Sequence, residues 1–243
     1  MSAGKVGQGR GIVVIPAYNE EETIADVVRG LAAEGLGVDI LVVNDGSSDG
    51  TGRILGDLPA VITVTHPINL GYGAAVQTGM LYAVRGGYDF LALMDADGQH
   101  VPSQLRLLLD ELEKGSDMVI GSRFAGDAEV YAVPFLRRSG IRFFSFLAHL
   151  LGGIEVRDVT SGFQAMRRNV FEFLSREYPS HSPDAEVIVM LGRKRFRVTE
   201  VPTSVRERQG GTSMYSNVGA AFYYPFKSIL SSFIVLLRLM REK

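Results

Sequence analysis

The chain has 243 residues, of which 46% are hydrophobic, so it is long and apolar enough to bury a real core and is not a disordered protein. It contains no cysteine, which excludes disulfides, thiolate metal sites and a cysteine nucleophile. Residues 1–122 carry 7 Lys and Arg against 16 Asp and Glu, and residues 123–243 carry 18 against 11, a division that argues against one basic surface for nucleic acid.

Short apolar runs in the first half alternate with segments of helical spacing. The predicted strands are 11–16, 39–44, 61–65, 88–94 and 117–121. The predicted helices are 20–34, 73–85 and 103–114. Continuous apolar strands that alternate with amphipathic helices indicate an α/β fold, with a mostly parallel sheet covered on both faces. Ligands of such sheets bind beyond the carboxyl ends of the strands.

The second half is less regular, with a further strand predicted at 196–205. We expect three parts in the whole chain. These are a flexible leader at 1–10, one α/β domain at 11–215 and C-terminal amphipathic helices at 216–243.

Two apolar helical segments are candidates for membrane contact. The segment 218–237 has the length of a spanning helix, but Pro225 and Lys227 interrupt it, which favours a helix lying in the interface. The segment 134–152 combines arginines with phenylalanines, as an interface helix would. We expect a peripheral protein on the cytosolic face of the membrane, alone or docked on a small membrane protein. The alternative is that both segments pack on the core or join copies of the chain in a homo-oligomer.

The sequence DADGQH at 95–100 is the strongest local signal for chemistry. Asp95 and Asp97 follow a predicted buried strand and, with the amide oxygen of Gln99, can converge on Mg²⁺ or Mn²⁺. We expect His100 to hydrogen-bond outside the ligand set. The alternative is a turn with solvated aspartates.

Polar motifs also follow the first two predicted strands, with PAYNE at 16–20 and NDGSSDGT at 44–51. Tyr18 offers a ring for stacking, and Asp45 can accept hydrogen bonds from a ribose hydroxyl or a base N–H. The second motif also fits a turn that caps a helix, with Asp49 as the N-cap.

A glycine-containing motif, NLGYG at 69–73, resembles a phosphate loop. It lacks the remainder of a dinucleotide fingerprint and follows the third strand instead of the first. A Rossmann dehydrogenase is therefore a poor fit.

Taken together, the motifs resemble the family 2 glycosyltransferases, which have the GT-A fold, and within them the dolichol-phosphate mannose synthase-like branch. The resemblance covers about residues 11–215 and includes GSRF at 121–124 and DVTSGFQAMRR at 158–168. It implies an inverting transfer of a hexose from a nucleotide-diphosphate sugar, of the GDP-mannose or UDP-glucose type, to a polyprenyl (dolichyl or undecaprenyl) phosphate. It also implies a divalent cation, Mg²⁺ or Mn²⁺.

The resemblance assigns the donor side and the metal site residue by residue. The metal positions match Asp95, Asp97 and Gln99. The nucleotide-sugar positions match Pro16, Tyr18, Glu20, Asp45, Asp95, Ala96, Arg208 and Ser213. Two positions depart from the family pattern, because Asn44 replaces a frequent Asp and Met214 replaces a usual Lys.

On the acceptor side, the resemblance implies that Arg123 and Arg137, with the adjacent Arg138, bind the acceptor phosphate. A phosphate monoester has a second pKa near ~6, so it is already a nucleophile at neutral pH and needs no strong base. Bidentate arginines suit the placement of such a group. Residues 160–162 are expected on the sugar-side loop.

Two other functions remain open from the sequence. A family 2 enzyme that glycosylates a sugar hydroxyl would need a base, and Asp184 or Glu186 is the candidate. The predicted catalytic residues are Asp97, Arg123 and Arg137, and Asp184 and Glu186 are the further candidates. The second alternative is a non-catalytic scaffold that binds nucleotide sugars, against which the intact Asp97 argues.

Overall fold

The computed structural model describes residues 9–59, 61–126, 135–179 and 183–206. Within these ranges the chain forms seven strands and seven α-helices. The strands are β1 Gly11–Ala17, β2 Asp39–Asn44, β3 Val61–Thr65, β4 Phe90–Leu93, β5 Met118–Ser122, β6 Gln164–Arg167 and β7 Val198–Pro202. The helices are α1 Ile24–Ala33, α2 Thr51–Gly56, α3 Tyr72–Arg85, α4 Leu105–Glu113, α5 Phe135–Gly152, α6 Arg168–Glu177 and α7 Pro183–Arg193.

The strands form one sheet in the order β3-β2-β1-β4-β6-β5-β7. Every pairing is parallel except those of β6, which runs antiparallel to both β4 and β5. The predicted α/β fold with a mostly parallel sheet is therefore confirmed. β6 was not predicted, because its four residues contain no apolar run.

The core lies on both faces of the sheet, which explains why the strands read as continuous apolar runs. In β1, Ile12 and Val14 pack in the core layer that contains α3, α6 and α7. Val13 and Ile15 pack in the opposite layer, against apolar residues of α1 and α4. The side chains of β1 thus pack in both core layers, and only the ends of the strand are available for polar contacts with a ligand.

The starts of α3 and α4 lie within two residues of the predictions, whereas those of α1 and α2 differ in ways that have a structural reason. α1 begins at Ile24 instead of residue 20, because the Glu20 carbonyl accepts the Thr23 and Ile24 N–H groups in a preceding turn. The N-cap of α2 is Gly50, so the expectation of Asp49 as the N-cap is wrong. The Asp49 carboxylate nevertheless accepts the N–H of Thr51, 3.0 Å away.

The segment predicted at 134–152 is helical over α5. The C-terminal segment 216–243 and residues 1–8 of the leader lie outside the described residues. No helix in the described ranges has both the length and the apolar character needed to cross a membrane.

The sheet order brings the polar motifs to one edge. β2, β1 and β4 are neighbours, and the carboxyl ends of these parallel strands lie side by side. At this edge Ala17 pairs with Asn44, and the N–H of Asp45 donates to the Ala17 carbonyl at 2.8 Å. The motifs that follow β1, β2 and β4 are thereby placed together.

Candidate active site

The loops after β1 and β2 hold each other in place. The Asn19 N–H donates to Ser47 Oγ at 3.0 Å, and the Ser48 N–H donates to Asn19 Oδ1 at 2.8 Å. Asn19 has a φ of 55°, a left-handed conformation that asparagine tolerates better than most residues. Tyr18, directly before it, is 45% exposed, so its ring is available to a ligand at this edge.

Asp45 follows β2 and is almost fully buried. Its Oδ1 accepts the Leu70 N–H at 2.9 Å and lies 2.7 Å from His66 Nδ1, while its Oδ2 accepts the Gly71 N–H at 2.8 Å. The NLGYG amides thus hold a carboxylate of the chain itself. These contacts leave Asp45 little acceptor capacity for the nucleoside contact that the sequence predicts.

Asp95 follows β4 and is oriented from three sides. Tyr72 donates its hydroxyl to Oδ1 at 3.1 Å, and His100 Nε2 lies 3.3 Å from Oδ2. The backbone of Gly162 packs so closely that a Cβ at this position would overlap the Asp95 carboxylate. His100 is in turn stacked on Phe163, with ring centroids 4.9 Å apart. The carboxylate is therefore held in one orientation.

The surroundings keep Asp95 ionised at neutral pH. Burial by itself raises the pKa of the Asp95 carboxyl, but the hydrogen bond and charge of His100, the Tyr72 hydroxyl and the charge of Arg123 outweigh it and lower this pKa below its usual value. An ionised carboxylate is the form that binds a hard cation.

Asp97 and Gln99 lie on the turn that follows Asp95. The Gln99 N–H donates to Asp97 Oδ1 at 3.1 Å, and Gly98 has a φ of 73° that favours glycine at the turn. The Gln99 side-chain amide donates to the Arg206 carbonyl at 3.3 Å, and the Arg206 N–H donates back to the Gln99 carbonyl at 2.9 Å. The stretch after β7 thus buttresses the turn.

The donor set fits Mg²⁺ or Mn²⁺ bound partly by a substrate. Among the described residues no group of three or more His, Asp or Glu side chains is arranged to hold a metal ion. Two carboxylates and one amide at a strand end are nevertheless typical of cations that take their remaining ligands from phosphates and water. Asp95, Asp97 and Gln99 are the residues that would hold such an ion.

Arg123 follows β5 and forms a nearly buried ion pair. Its Nε and Nη2 each lie 2.7 Å from an Asp158 carboxylate oxygen, and Nη2 also donates to Thr160 Oγ1 at 2.8 Å. The Asp158 side chain is fully buried and that of Arg123 is 15% exposed. The guanidinium thus fixes the 158–162 loop, and the sequence did not predict this interaction.

The remaining predicted residues fall into three groups. Pro16 and Ala96 are buried, and Glu20 accepts the Thr23 hydroxyl at 3.0 Å. Glu186 is buried within α7. The side chains of Arg137 and Arg138 on α5 and of Asp184 on α7, and the whole of Arg208 and Ser213, lie outside the described part of the chain.

Three residues of this site were missed at the level of sequence: Tyr72, His66 and Asp158. Tyr72 belongs to the NLGYG motif and Asp158 to DVTSGF, but the sequence predicted no role for either residue. Their partners lie 23 and 35 residues away in the chain. No local sequence pattern predicts contacts between residues so far apart in the chain.

Replacing Gly162 by Ala is expected to lower the activity of the site about 10- to 100-fold, the usual cost of losing a group that orients a metal ligand. The added Cβ would push the Asp95 carboxylate aside, and because that group is the end of a side chain, stability should change little. Gly56→Ala is the matched control, since a Cβ there meets nothing within 4 Å. Equal activity of Gly162→Ala and wild type would show that the orientation of Asp95 is immaterial.

Known proteins resemble the chain in both sequence and fold. A family model described as Glycosyl transferase family 2 matches residues 12–174. The polyprenol monophosphomannose synthase of Mycolicibacterium smegmatis is 35% identical over 215 residues, covering 85% of this chain and 81% of that protein. The UDP-N-acetylglucosamine–dolichyl-phosphate N-acetylglucosaminyltransferase of Methanococcus voltae is 29% identical, covering 86% of this chain and 91% of that protein.

A solved structure confirms the predicted GT-A architecture. Glucosyl-3-phosphoglycerate synthase from Mycobacterium tuberculosis, in complex with Mn²⁺, UDP and glucosyl-3-phosphoglycerate, matches with a TM-score of 0.68 at 20% identity. The match covers 96% of this chain and 85% of that one. At this identity the likeness shows the fold alone.

Proposed function

The chain belongs to glycosyl transferase family 2, and from this premise we propose that it transfers one hexose from a nucleotide-diphosphate sugar to a polyprenyl phosphate. Membership in this family supports an enzyme over the scaffold alternative. The acceptor class rests on the relatives, whose names specify lipid-phosphate products or acceptors.

One observation carries the proposal at the level of geometry. The ionised Asp95 carboxylate, fixed by Tyr72 and His100, lies at the sheet edge that also bears the exposed Tyr18 ring. A donor bound here would set its base near Tyr18 and its diphosphate near Asp95 and Asp97. Mg²⁺ or Mn²⁺ held by Asp95, Asp97 and Gln99 would supply positive charge against the diphosphate.

The reaction is a single displacement at the anomeric carbon. An oxygen of the acceptor phosphate attacks this carbon from the face opposite the diphosphate, the bond to the diphosphate oxygen breaks, and the nucleoside diphosphate leaves with the electron pair. The configuration at the carbon inverts. The phosphate is already deprotonated near neutral pH, so no side chain has to remove a proton.

Cationic side chains offset the repulsion between two phosphorylated substrates. We assign Arg123, Arg137 and Arg138 to the acceptor phosphate and Arg208 to the donor diphosphate. The ion pair with Asp158 holds the Arg123 guanidinium in a fixed place, which reduces the entropy cost of binding an anion.

The assignment of Arg208 rests on its place in the chain. The Arg206 backbone is hydrogen-bonded to Gln99, and Arg208 is two residues farther along, so at most about 7 Å of backbone separates it from Arg206.

The donor test uses purified chain, Mn²⁺, a polyprenyl phosphate and labelled GDP-mannose, UDP-glucose or UDP-N-acetylglucosamine in separate reactions. We expect one donor to yield a labelled lipid. The absence of a labelled lipid with every donor would contradict the proposed function.

The apolar surface of α5 supports a membrane-bound acceptor. Phe143, Phe146 and Leu150 are 47%, 61% and 65% exposed and recur at helical spacing on one stripe. An exposed apolar stripe on an otherwise packed domain is typical of an interaction surface. We assign it to the cytosolic surface of the membrane, where the phosphate of a polyprenyl lipid is accessible.

Replacing Phe146 by Asp is expected to lower the fraction of chain that floats with anionic liposomes several-fold, since about 2 kcal/mol of apolar burial per large side chain is lost. Leu107→Asp is the matched control, because Leu107 is 47% exposed on α4, outside the α5 stripe. If the two variants float equally well, the α5 stripe does not contact lipid.

A further inference from the structure

The start of α3 lies between two carboxylates of the site, those of Asp45 and Asp95. Leu70 and Gly71, just before the helix, donate their N–H groups to the Asp45 carboxylate, which follows β2. Tyr72, the first helical residue, donates its hydroxyl to Asp95 Oδ1, which follows β4. Three consecutive residues thus contact the carboxylates that follow β2 and β4.

A second connection holds α3 from its side. His66 contacts Asp45 Oδ1 through Nδ1 at 2.7 Å and Thr78 Oγ1 through Nε2 at 2.9 Å. Thr78 is itself a residue of α3, so the chain Asp45–His66–Thr78 joins the start of the helix to its second turn. The side chains of Asp45 and His66 are 3% and 9% exposed, and hydrogen bonds in such surroundings are stronger than in water.

Two glycines fix where this helix lies. Gly71, its N-cap, has a φ of 94° that other residues rarely adopt. A Cβ at Gly79 would overlap the side chain of Val14, so the helix packs directly on β1. With its start, its second turn and its packing face fixed, α3 has little freedom to rotate, so it holds the backbone of Tyr72 in place beside Asp95.

We propose that Tyr72 is a positioning residue for the divalent cation: it fixes Asp95, and the Asp45–His66–Thr78 chain fixes Tyr72. This inference rests on the proposed function, because it concerns the cation assigned to Asp95, Asp97 and Gln99. Partners that orient a metal ligand typically alter metal affinity about 10- to 100-fold when they are removed. Asp45 therefore contributes to the metal site through α3 instead of by a direct contact.

The test measures Mn²⁺ affinity by electron paramagnetic resonance of the free ion, with UDP and, in a parallel series, with GDP, and without acceptor. Tyr72→Phe keeps the ring and removes the hydroxyl, so we expect affinity to fall about tenfold with an unchanged melting temperature. Tyr82→Phe, on the same helix and partly buried, is the control and should match wild type. An affinity of Tyr72→Phe within twofold of wild type overturns the inference.

The connection through Thr78 is tested by a double-mutant cycle. Thr78→Val should weaken Mn²⁺ binding by a smaller factor than Tyr72→Phe. Because it acts through Tyr72, the double variant should bind no more weakly than Tyr72→Phe alone. Independent losses that multiply would refute the connection.

The test of Tyr72 and the test of the proposed function can be told apart by their results. A wild-type chain that binds Mn²⁺ with a nucleotide but transfers no sugar contradicts the function and leaves the role of Tyr72 standing. A wild-type chain that binds no Mn²⁺ with either nucleotide overturns the role of Tyr72.

Discussion

Asp97→Asn is expected to lower the rate of sugar transfer at least about 100-fold, the usual effect of removing one group that stabilises transition-state charge. The substitution keeps the size of the side chain and an oxygen that can accept the Gln99 N–H bond. It removes the negative charge that would hold the cation opposite the leaving diphosphate. Folding should be unaffected, because the turn is supported independently by Arg206.

The measurement is the initial rate of lipid labelling at saturating donor, with the melting temperature recorded beside it. Asp110→Asn, at an exposed aspartate of α4, is the control and should retain full activity. A fully active Asp97→Asn would remove Asp97 from the metal site. Partial recovery at high Mn²⁺ would instead support the assignment, since a weakened site can be filled by mass action.

Asp158→Ala is expected to reduce the free energy of unfolding by about 3–5 kcal/mol, the cost of leaving one partner of a buried ion pair uncompensated. Asp158 accepts the Arg123 backbone N–H, two guanidinium contacts and the Thr160 hydroxyl, and its side chain is fully buried. Removing it strands the Arg123 charge and releases the loop that carries Gly162.

Urea unfolding of wild type and Asp158→Ala measures this loss. Asp26→Ala is the matched control, because Asp26 is paired with Arg29 on an exposed face of α1, where such pairs contribute about 0–1 kcal/mol. A loss below about 1 kcal/mol for Asp158→Ala would mean that the pair with Arg123 is not structural, given the range expected for buried pairs.

β1 and β2 were predictable because burial on both faces imposes a continuous apolar pattern, and the half-buried edge strand β3 was predictable from its β-branched residues. β1, β2 and β3 are runs of Val, Ile and Leu that no other common element explains as well, and their predicted bounds differ from the observed ones by at most one residue. β6 escaped because only Ala165 and Met166 of its four residues are buried. Its pairing with β4 and β5 arises from tertiary packing.

The site was predictable at the level of motifs but not of contacts. Polar residues directly after apolar strands indicated where ligands bind, and DADGQH does follow β4. The contacts that each residue makes could not be predicted from the sequence. NLGYG resembles a loop for an external phosphate, yet the structure turns its amides toward Asp45.

Arg123 illustrates the same limit for charged residues. The resemblance predicts it as a ligand of the acceptor phosphate. In the fold it is bound by Asp158, 35 residues later, because the loop after α5 returns to the end of β5. The guanidinium that the sequence predicts as a phosphate ligand thus also belongs to an ion pair that holds the fold.

The nature of the acceptor is the central claim, and one measurement addresses it most directly. The chain is incubated with its preferred labelled donor and either a polyprenyl phosphate or the same polyprenol without the phosphate, and label is counted in the organic phase. The proposed mechanism predicts a labelled lipid with the phosphate and none with the alcohol. Equal labelling of both lipids, or no labelled lipid with the phosphate, would contradict it.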